Sequence, residues 1–419
     1  MILAAIVLVV LALLGAPLFA VIAAGALISF VTVDPQLGMV VPIEIYGIAE
    51  MPILLAIPLF TFAGYILSES AAPDRLVRLT RAMLGWMPGG LAIVSIVACA
   101  LFTAFTGASG VTIIALGAIL FPALAQDGYG DKFNLGLVTA GGSLGLLFAP
   151  SLPLILYGVV AEVSIDDLFL AGVLPGMLML QALSLYALWV NRANRSALSE
   201  FSWREVGRAL LAAGWELPLP VVVLGGIYSG LLAVSEAAAV TAVYVVIVEV
   251  IIRREISWRE LPGIMRESMV LVGGILLILG ASLASTNYVI DMEVPQQLIA
   301  MVGDVVESRT GFLWLLLLFL LALGAFLDIF SALVLVVPLI LPVASEFGVE
   351  PVHLGMVFLA AMQLGYLTPP VGLNLFIAGH RFNRPIMQVY SAALPFLLIL
   401  GITVIIITFW PGLSLFLVG

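Results

Sequence analysis

The segment at residues 141–158, with the sequence GGSLGLLFAPSLPLILYG, limits most strongly what this chain can fold into. It lies in an apolar run long enough to cross a bilayer, yet Pro150 and Pro153 lack a backbone N–H and clash with the preceding turn of a helix. A break there frees backbone groups, which a membrane tolerates only where they face protein or a water-filled cavity. Residues 364–378, LGYLTPPVGLNLFIA, form a second such segment. Two broken helices at matching positions predict a binding site near the middle of the membrane.

The composition predicts an all-α polytopic membrane protein. Of the 419 residues, 63% are hydrophobic and 10% are charged, whereas soluble domains carry roughly 25% charged residues. Because a span needs ~20 apolar residues, about ten spans fit once loops are removed. The net charge of −10 and the single lysine give no reason to expect nucleic-acid binding. One cysteine, two histidines and no HExxH, P-loop or GxSxG motif lead us to expect no enzyme and no organic cofactor.

Reading along the chain, we predict scaffold spans, an arm helix, a re-entrant hairpin with a polar glycine-rich tip, and a broken helix, twice over. The hairpins are favoured because each of their arms is too short to span comfortably. In the first repeat, 1–190, the predicted parts are scaffold helices 1–67, arm helix 68–88, hairpin 91–126, broken helix 133–160 and span 168–190. A cytoplasmic connector, 191–215, follows. In the second repeat, 216–419, they are scaffold helices 217–290, arm 291–309, hairpin 311–346, broken helix 352–379 and last span 385–410.

An internal repeat supports this division. An offset of 220 residues superposes special positions of the two halves, which is evidence of duplication. The matched pairs are Pro122 with Pro342, Gly145 with Gly365, Pro150 with Pro370, and Pro175 with Pro395. If residues 1–31 are two short helices, each half has about five spans plus one hairpin and one broken helix, and the odd number makes the repeats inverted. The alternative is a single N-terminal helix with an inside N-terminus.

The arginines set the orientation. Placing residues 68–88 in the cytoplasm puts every basic residue except Arg309 on that side, in agreement with the positive-inside rule. With two N-terminal helices, both chain termini then lie outside. Arg75, Arg78 and Arg81 recur at helical spacing and predict an interfacial helix that contacts lipid or a partner.

These motifs resemble one known family. TGASG at a hairpin tip, GGSLGLLFAPSLPLILYG, SEAAAV after GIYSG, and LGYLTPPVGLNLF resemble the large membrane subunit of tripartite ATP-independent periplasmic (TRAP) transporters over essentially the whole chain. The resemblance implies an elevator-type secondary transporter with the ion-transporter-superfamily fold, in the bacterial or archaeal inner membrane. One departure is Phe148-Ala149-Pro150, where relatives often have two adjacent prolines.

The resemblance also implies partners and a coupling ion. Members of the family work with a small four-helix membrane subunit and a periplasmic substrate-binding protein, and they import organic acids with a sodium gradient. Membrane lipids are further expected partners. The alternatives are a stand-alone sodium/dicarboxylate symporter of the same superfold and, from other classes, a membrane scaffold or a channel.

Sodium is a hard cation that is bound by hydroxyl and carbonyl oxygens, which hairpin tips and unwound helices supply. We expect the first hairpin tip to pair with the break at Pro150, and the second hairpin tip to pair with the break at Pro369. The alternative for any one of these small residues is helix packing alone. The predicted sodium-binding residues are Thr106, Gly107, Ser109, Gly110, Ser143, Pro150, Gly324, Asp328, Thr368, Pro369 and Gly372.

The substrate is expected to be an organic anion, held by helix N-termini, amides and hydroxyl groups. The predicted substrate-binding residues are Ser109, Ser151, Thr368, Pro370 and Asn374. Asp328 is the only acid near the centre of an apolar segment, and an ionisable residue at that depth is a functional candidate. The alternative for Asp328 is a structural role, capping the second arm of its hairpin.

Overall fold

The computed structural model describes residues 2–87, 89–192 and 201–418, and over these ranges it contains helices and no β-strand. Residues 193–200 of the predicted connector, and residues 1, 88 and 419 at the ends of predicted segments, lie outside the described residues. Within the described ranges, eight helices are long and apolar enough to cross a membrane, or up to nine if one bent pair is counted as a single span. The prediction of an all-α polytopic membrane protein is confirmed.

The first half contains eleven α-helices within the described residues. They are α1 (Ile2–Leu13), α2 (Leu18–Val33), α3 (Val40–Gly47), α4 (Ala56–Glu69), α5 (Ala72–Leu84), α6 (Gly90–Thr106), α7 (Ser109–Gln126), α8 (Asp131–Gly141), α9 (Leu152–Ala161), α10 (Ile165–Ala171) and α11 (Val173–Asn191).

A connector helix and the second half follow. These helices are α12 (Trp203–Ala212), α13 (Pro218–Tyr228), α14 (Val234–Val246), α15 (Leu261–Asp291), α16 (Val294–Val305), α17 (Arg309–Phe326), α18 (Ile329–Glu346), α19 (Pro351–Gly365), α20 (Leu373–Arg381), α21 (Ile386–Phe409) and α22 (Pro411–Leu415). A π-helical turn, Ile247–Ile252, continues α14.

The 220-residue offset also relates the helix boundaries of the two halves. Shifting α7 by this offset reproduces both ends of α18, and the last residue of α6 falls on the last residue of α17. The two cis peptide bonds, Ala149–Pro150 and Pro369–Pro370, occupy corresponding positions. We name α6–α7 and α17–α18 hairpin 1 and hairpin 2, and α8–α9 and α19–α20 broken helix 1 and broken helix 2.

The N-terminus, for which the sequence left two possibilities, forms two helices that fold back on each other. The chain reverses between α1 and α2 at Gly15, whose φ of +90° lies in the left-handed region that glycine favours. The two helices are in contact, because a methyl group added to Gly25 would lie 3.6 Å from Cδ1 of Leu8. Helices α2, α3, α4 and α14 pack on or next to the long α15, and together they form a scaffold beside the hairpins.

The arm helix α5 differs from its prediction at one residue. Arg75 does not face lipid: it is buried, with its guanidinium 2.5 Å from Glu216 and 3.3 Å from Glu249, and it also pairs with Glu255. Arg78 and Arg81 pair with Glu205 and Asp127. Spacing alone could not show this, because the carboxylates come from segments 127 residues or more away for Arg75 and Arg78. The arm is therefore anchored to the scaffold by ion pairs within the chain.

Candidate functional site

The tips of the two hairpins face one central cavity of about 380 Å³. From hairpin 1 it is lined by residues 107–111 and Ile114, and from hairpin 2 by residues 328–330. The broken helices contribute Leu146, Tyr366, Leu373 and Ile377, and the scaffold contributes Tyr65 and Leu271. The cavity therefore lies where the two hairpins, both broken helices and the scaffold meet.

Hairpin 1 presents an open helix N-terminus to this cavity. The turn before α7 is made by Gly107, whose φ is +65°, and by the extended residue Ala108, which has no side chain able to cap the helix. Among the described residues, no protein group accepts a hydrogen bond from the backbone N–H of Ser109, Gly110 or Val111. Unpaired N–H groups at the positive end of an 18-residue helix favour an anion.

Hairpin 2 closes the corresponding helix N-terminus with its own side chain. Asp328 Oδ1 accepts from the backbone N–H groups of Phe330 and Ser331 at 3.0 Å, and the Ser331 hydroxyl donates to Oδ2 at 2.5 Å. The N–H of Ile329 donates to the hydroxyl of Tyr366 at 2.7 Å. Asp328 is thus the N-cap of α18, which was the alternative role for it, and it also lines the cavity.

Hydroxyl groups join hairpin 1 to broken helix 1. The buried Thr103 hydroxyl lies 2.7 Å from that of Thr112 and donates to the carbonyl of Gly142 at 2.9 Å. Gly145 is close enough to α6 that an added methyl group would lie 2.2 Å from the carbonyl oxygen of Ala100. Hairpin 1 and broken helix 1 are therefore in direct contact.

Asn374 lies in a different place from the one we expected. The expected pairing of the break at Pro369 with hairpin 2 would place this predicted substrate-binding residue beside hairpin 2, but its Oδ1 accepts from the hydroxyl of Ser109 at 2.7 Å and its Nδ2 lies 3.4 Å from the carbonyl of Thr139. The reason is that α20 packs against α7, so its first turn reaches the other repeat. Asn374 is fully buried and connects three elements behind the cavity wall.

The first break is buried. Ser143 and Ser151 are fully buried, as is Thr106 at the end of α6. The hydroxyls of Thr106 and Ser151 have no hydrogen-bond partner, which is costly for buried polar groups. Thr106 precedes Gly107 and Ser151 precedes Leu152 in the chain. Gly107 and Leu152 are in contact, because a methyl group on Gly107 would lie 2.5 Å from Cγ of Leu152. Two unpaired hydroxyl oxygens next to an unwound segment suit a bound cation or water.

The second break is close to hairpin 2 but exposed. A methyl group on Gly365 would lie 2.6 Å from the Cα of Gly324, and the N–H of Gly372 donates to Ala325 at 3.1 Å. The Thr368 hydroxyl donates back to Leu364, while Pro369 and Pro370 are exposed. Hairpin 2 and the second break are therefore in direct contact, whereas Asn374 contacts hairpin 1.

The structure divides the predicted site residues into two groups. Those that line the central cavity are Gly107, Ser109, Gly110 and Asp328. Those that do not line it, and lie at the breaks or next to the hairpin tips, are Thr106, Ser143, Pro150, Ser151, Gly324, Thr368, Pro369, Pro370, Gly372 and Asn374. The sequence reasoning missed Tyr65, Thr103, Gln363 and Tyr366. Gln363 is buried with both amide atoms unpaired, and the 220-residue offset from Ser143 could have identified it.

The overall fold of this chain is similar to that of a solved transporter. The YdaH transporter of Alcanivorax borkumensis, described as having an unusual topology, matches with a TM-score of 0.65 and 13% identity over 92% of this chain and 90% of that chain. At this identity the likeness concerns the fold alone.

Sequence comparisons give the family. The family described as "Tripartite ATP-independent periplasmic transporter, DctM component" matches residues 5–413. The C4-dicarboxylate TRAP transporter large permease protein DctM of Pseudomonas aeruginosa is 35% identical, over 89% of this chain and 88% of its own length. The ectoine/5-hydroxyectoine TRAP transporter large permease protein UehC of Ruegeria pomeroyi is 32% identical, over 98% and 96%. The sialic acid TRAP transporter large permease protein SiaM of Vibrio cholerae is 30% identical, over 87% and 86%.

The chain belongs to the DctM family of TRAP transporter large permeases. The family resemblance inferred from the proline motifs is confirmed. Membership makes the chain a polytopic membrane permease of a tripartite system, a type that includes a small membrane subunit and a periplasmic binding protein.

Proposed function

We propose that this chain is the large permease subunit of a sodium-coupled symporter that imports a carboxylate-bearing organic compound by elevator-type alternating access. A periplasmic binding protein delivers the substrate, and a small four-helix subunit completes the membrane complex. The complex resides in the bacterial or archaeal inner membrane, with both termini of this chain in the periplasm. The compounds in the names of the three relatives, a C4-dicarboxylate, ectoine and sialic acid, all carry a carboxylate.

The observation that carries the substrate assignment is the open N-terminus of α7 in the wall of the central cavity. Its unpaired N–H groups offer donors to a carboxylate, whereas the neighbouring Ser109 hydroxyl already donates to Asn374. The carboxylate of Asp328, across the same cavity, already accepts hydrogen bonds from N–H groups and a hydroxyl of its own hairpin. Substrate charge is therefore met at hairpin 1.

The sodium proposal rests on the two unpaired hydroxyls at the first break. Thr106 and Ser151 are assigned as oxygen ligands there, together with backbone carbonyls of the unwound segment. By the internal repeat, the second ion is assigned to the contact between Gly324 and Gly365, near Thr368 and Gly372. Sodium here is a transported ion that enters and leaves with the substrate.

The experiment is uptake into proteoliposomes that contain both membrane subunits, with the cognate binding protein outside and an imposed sodium or proton gradient. We expect uptake of a carboxylate that depends on sodium and on the binding protein. Uptake that ignores sodium would overturn the coupling. Uptake without the binding protein would favour a stand-alone symporter, and gradient-independent flux would favour a channel.

Two variants test whether a sodium ion binds at the first break. Ser151→Ala and Thr106→Ala are each expected to raise the sodium concentration needed for half-maximal uptake by about tenfold, the equivalent of one lost ligand worth ~1.4 kcal/mol. Ser95→Ala is the matched control, because Ser95 is equally buried but its hydroxyl already donates to Leu91. If all three variants have the same sodium dependence, the assignment of the first break is wrong.

A further inference from the structure

The connector helix α12 carries an apolar strip that no described part of the chain covers. Trp203 is 79% exposed and Leu211 is 83% exposed. The other side of the same helix is packed, because Val206 is buried and Ala209 forms a small cluster with Leu79 of the arm helix α5. The strip is therefore exposed, while the opposite side of α12 packs against the rest of the chain and holds the helix in place.

The order of side chains around α12 is that of a helix lying in a membrane interface. Helical periodicity places Trp203, Leu210 and Leu211 on one side of the helix. Arg204 and Arg208, four residues apart, form the next sector, so the arginines border the apolar strip. Apolar residues beside a basic edge are typical of helices that lie at the boundary between headgroups and acyl chains.

Aromatic residues extend this strip from α12 to the end of α5. The rings of Trp203 and Phe201 meet edge to face at 5.0 Å, and Phe201 meets Trp86 at 6.3 Å. All three side chains are more than 40% exposed. Tryptophan concentrates at the headgroup level of membranes, because its ring is apolar and its N–H is polar.

Two arginines beside the strip are available to bind an anion. Glu205 accepts from Arg78 at 2.7 Å, and this hydrogen bond holds the pKa of the Glu205 carboxyl below its usual value. Arg208 lies only at 3.9 Å from the same carboxylate and its side chain is 57% exposed. Within the described part of the chain, Arg204 has no ion pair. A guanidinium binds phosphate through paired N–H groups, so these two side chains suit a phosphate headgroup.

We propose that α12 and the end of α5 form a binding surface for anionic phospholipids of the leaflet on which they lie. Trp203, Leu211 and Phe201 enter the acyl boundary, and Arg204 and Arg208 bind the headgroup phosphates. The charge complementarity of an arginine edge along an apolar strip selects lipid over a protein partner as the occupant. Because Arg78 ties α12 to the arm helix, bound lipid also fixes the base of hairpin 1.

The test measures lipid binding directly, so it does not depend on sodium coupling or on the substrate. The purified membrane complex is examined by native mass spectrometry after exposure to phosphatidylglycerol or phosphatidylcholine. We expect retention of phosphatidylglycerol over phosphatidylcholine, and a loss of about 30-fold in this preference for the double variant R204Q/R208Q, since each basic residue near an anionic surface contributes ~1 kcal/mol. The matched control is R259Q, an exposed arginine outside α12 for which the structure records no ion pair.

A second measurement locates the strip. Brominated phosphatidylglycerol in vesicles should quench the fluorescence of the wild-type complex more than that of Trp203→Phe, because Trp203 lies at the lipid boundary. Equal phosphatidylglycerol retention by wild type and R204Q/R208Q, or an equal loss in R259Q, would overturn the proposal. So would quenching that is unchanged by Trp203→Phe, which is the result expected if the small subunit covers α12.

Discussion

The two broken helices share their spacing and their cis-proline break, but their surroundings differ. The first break is buried, with Ser151 fully buried and Pro150 also inside the protein. The second break is open, with Pro369 and Pro370 exposed and Val371 39% exposed. The same cis-proline break therefore occurs in two different environments in one molecule.

This difference extends to the hairpins that contact the breaks. Hairpin 1 turns through a glycine and leaves the first N–H groups of α7 unpaired. Hairpin 2 turns at Leu327, which is extended, and caps α18 with Asp328. Sequence duplication thus preserved the backbone, while substitutions at the tips gave one half an open helix N-terminus and the other half a closed one.

The largest effect is expected from filling the space beside the first break. Gly145→Ala would place a methyl group within 2.6 Å of backbone or Cβ atoms of Ala100, Thr103 and Ala104. Overpacking of a buried core costs about 1–3 kcal/mol, so we expect a lower unfolding temperature in detergent and no uptake. Gly273→Ala, with no atom within 4 Å, is the control. Equal behaviour of the two variants would mean that hairpin 1 is not tightly seated on the first break.

Cysteine labelling tests the comparison itself. In a Val371→Cys variant the thiol should react with a maleimide more than about tenfold faster than in Ser151→Cys, because reaching a fully buried side chain requires local opening of the fold. The native Cys99 is fully buried and gives a low background. Equal rates would show that the first break opens as readily as the second. A reversal of the two rates on adding sodium and substrate would sharpen the comparison, since the buried break would then be the exposed one.

Substitutions at Asp328 distinguish its role as the N-cap of α18 from the role of its negative charge. Asn is as good an N-cap as Asp, so Asp328→Asn should leave stability within a few tenths of a kcal/mol, whereas Asp328→Ala should cost about 1 kcal/mol. We expect both variants to transport less than wild type. Unfolding temperature and uptake are measured together. Wild-type uptake by the Asn variant would restrict Asp328 to the structural role.

The smallest effect is expected at the exposed break. The Tyr390 hydroxyl donates to the carbonyl of Pro370, and because this contact is exposed its loss should cost at most about 1 kcal/mol. Tyr366→Phe is the buried variant for comparison. There the N–H of Ile329 loses its acceptor, which should cost about 1–3 kcal/mol of stability. Denaturation of the two single variants gives this ranking. If Tyr390→Phe is the more harmful change, the second break is less open than its exposure indicates.

The sequence was sufficient for the elements of this fold because their signals are local. Pro150 and Pro370 cannot continue a helix, so each fixes a break where it stands. Apolar length predicted the helices, and the 220-residue offset placed corresponding parts in register. The expectation that each hairpin arm is too short to span does not hold for α7, α17 and α18, which are long and apolar enough to cross a membrane. The hairpins were predicted to begin at residues 91 and 311, and they begin at Gly90 and Arg309.

What the sequence could not predict was which polar groups meet across the two repeats. The bond between Ser109 and Asn374 joins residues 265 positions apart, and the ion pairs of Arg75 join the arm to three carboxylates more than 140 positions away. Such contacts depend on how α20 and α5 pack, and no local pattern encodes that packing.

The positions of the helix breaks and their occurrence in pairs can therefore be predicted from the sequence, because proline and glycine act through their own backbone geometry. The burial of one break and the exposure of the other depend on how the helices pack. The same packing brings the unpaired hydroxyls of Thr106 and Ser151 to the two sides of the contact between Gly107 and Leu152. The physical reason is that burial and hydrogen bonding belong to the packed neighbours of a residue, and these neighbours come from distant parts of the chain.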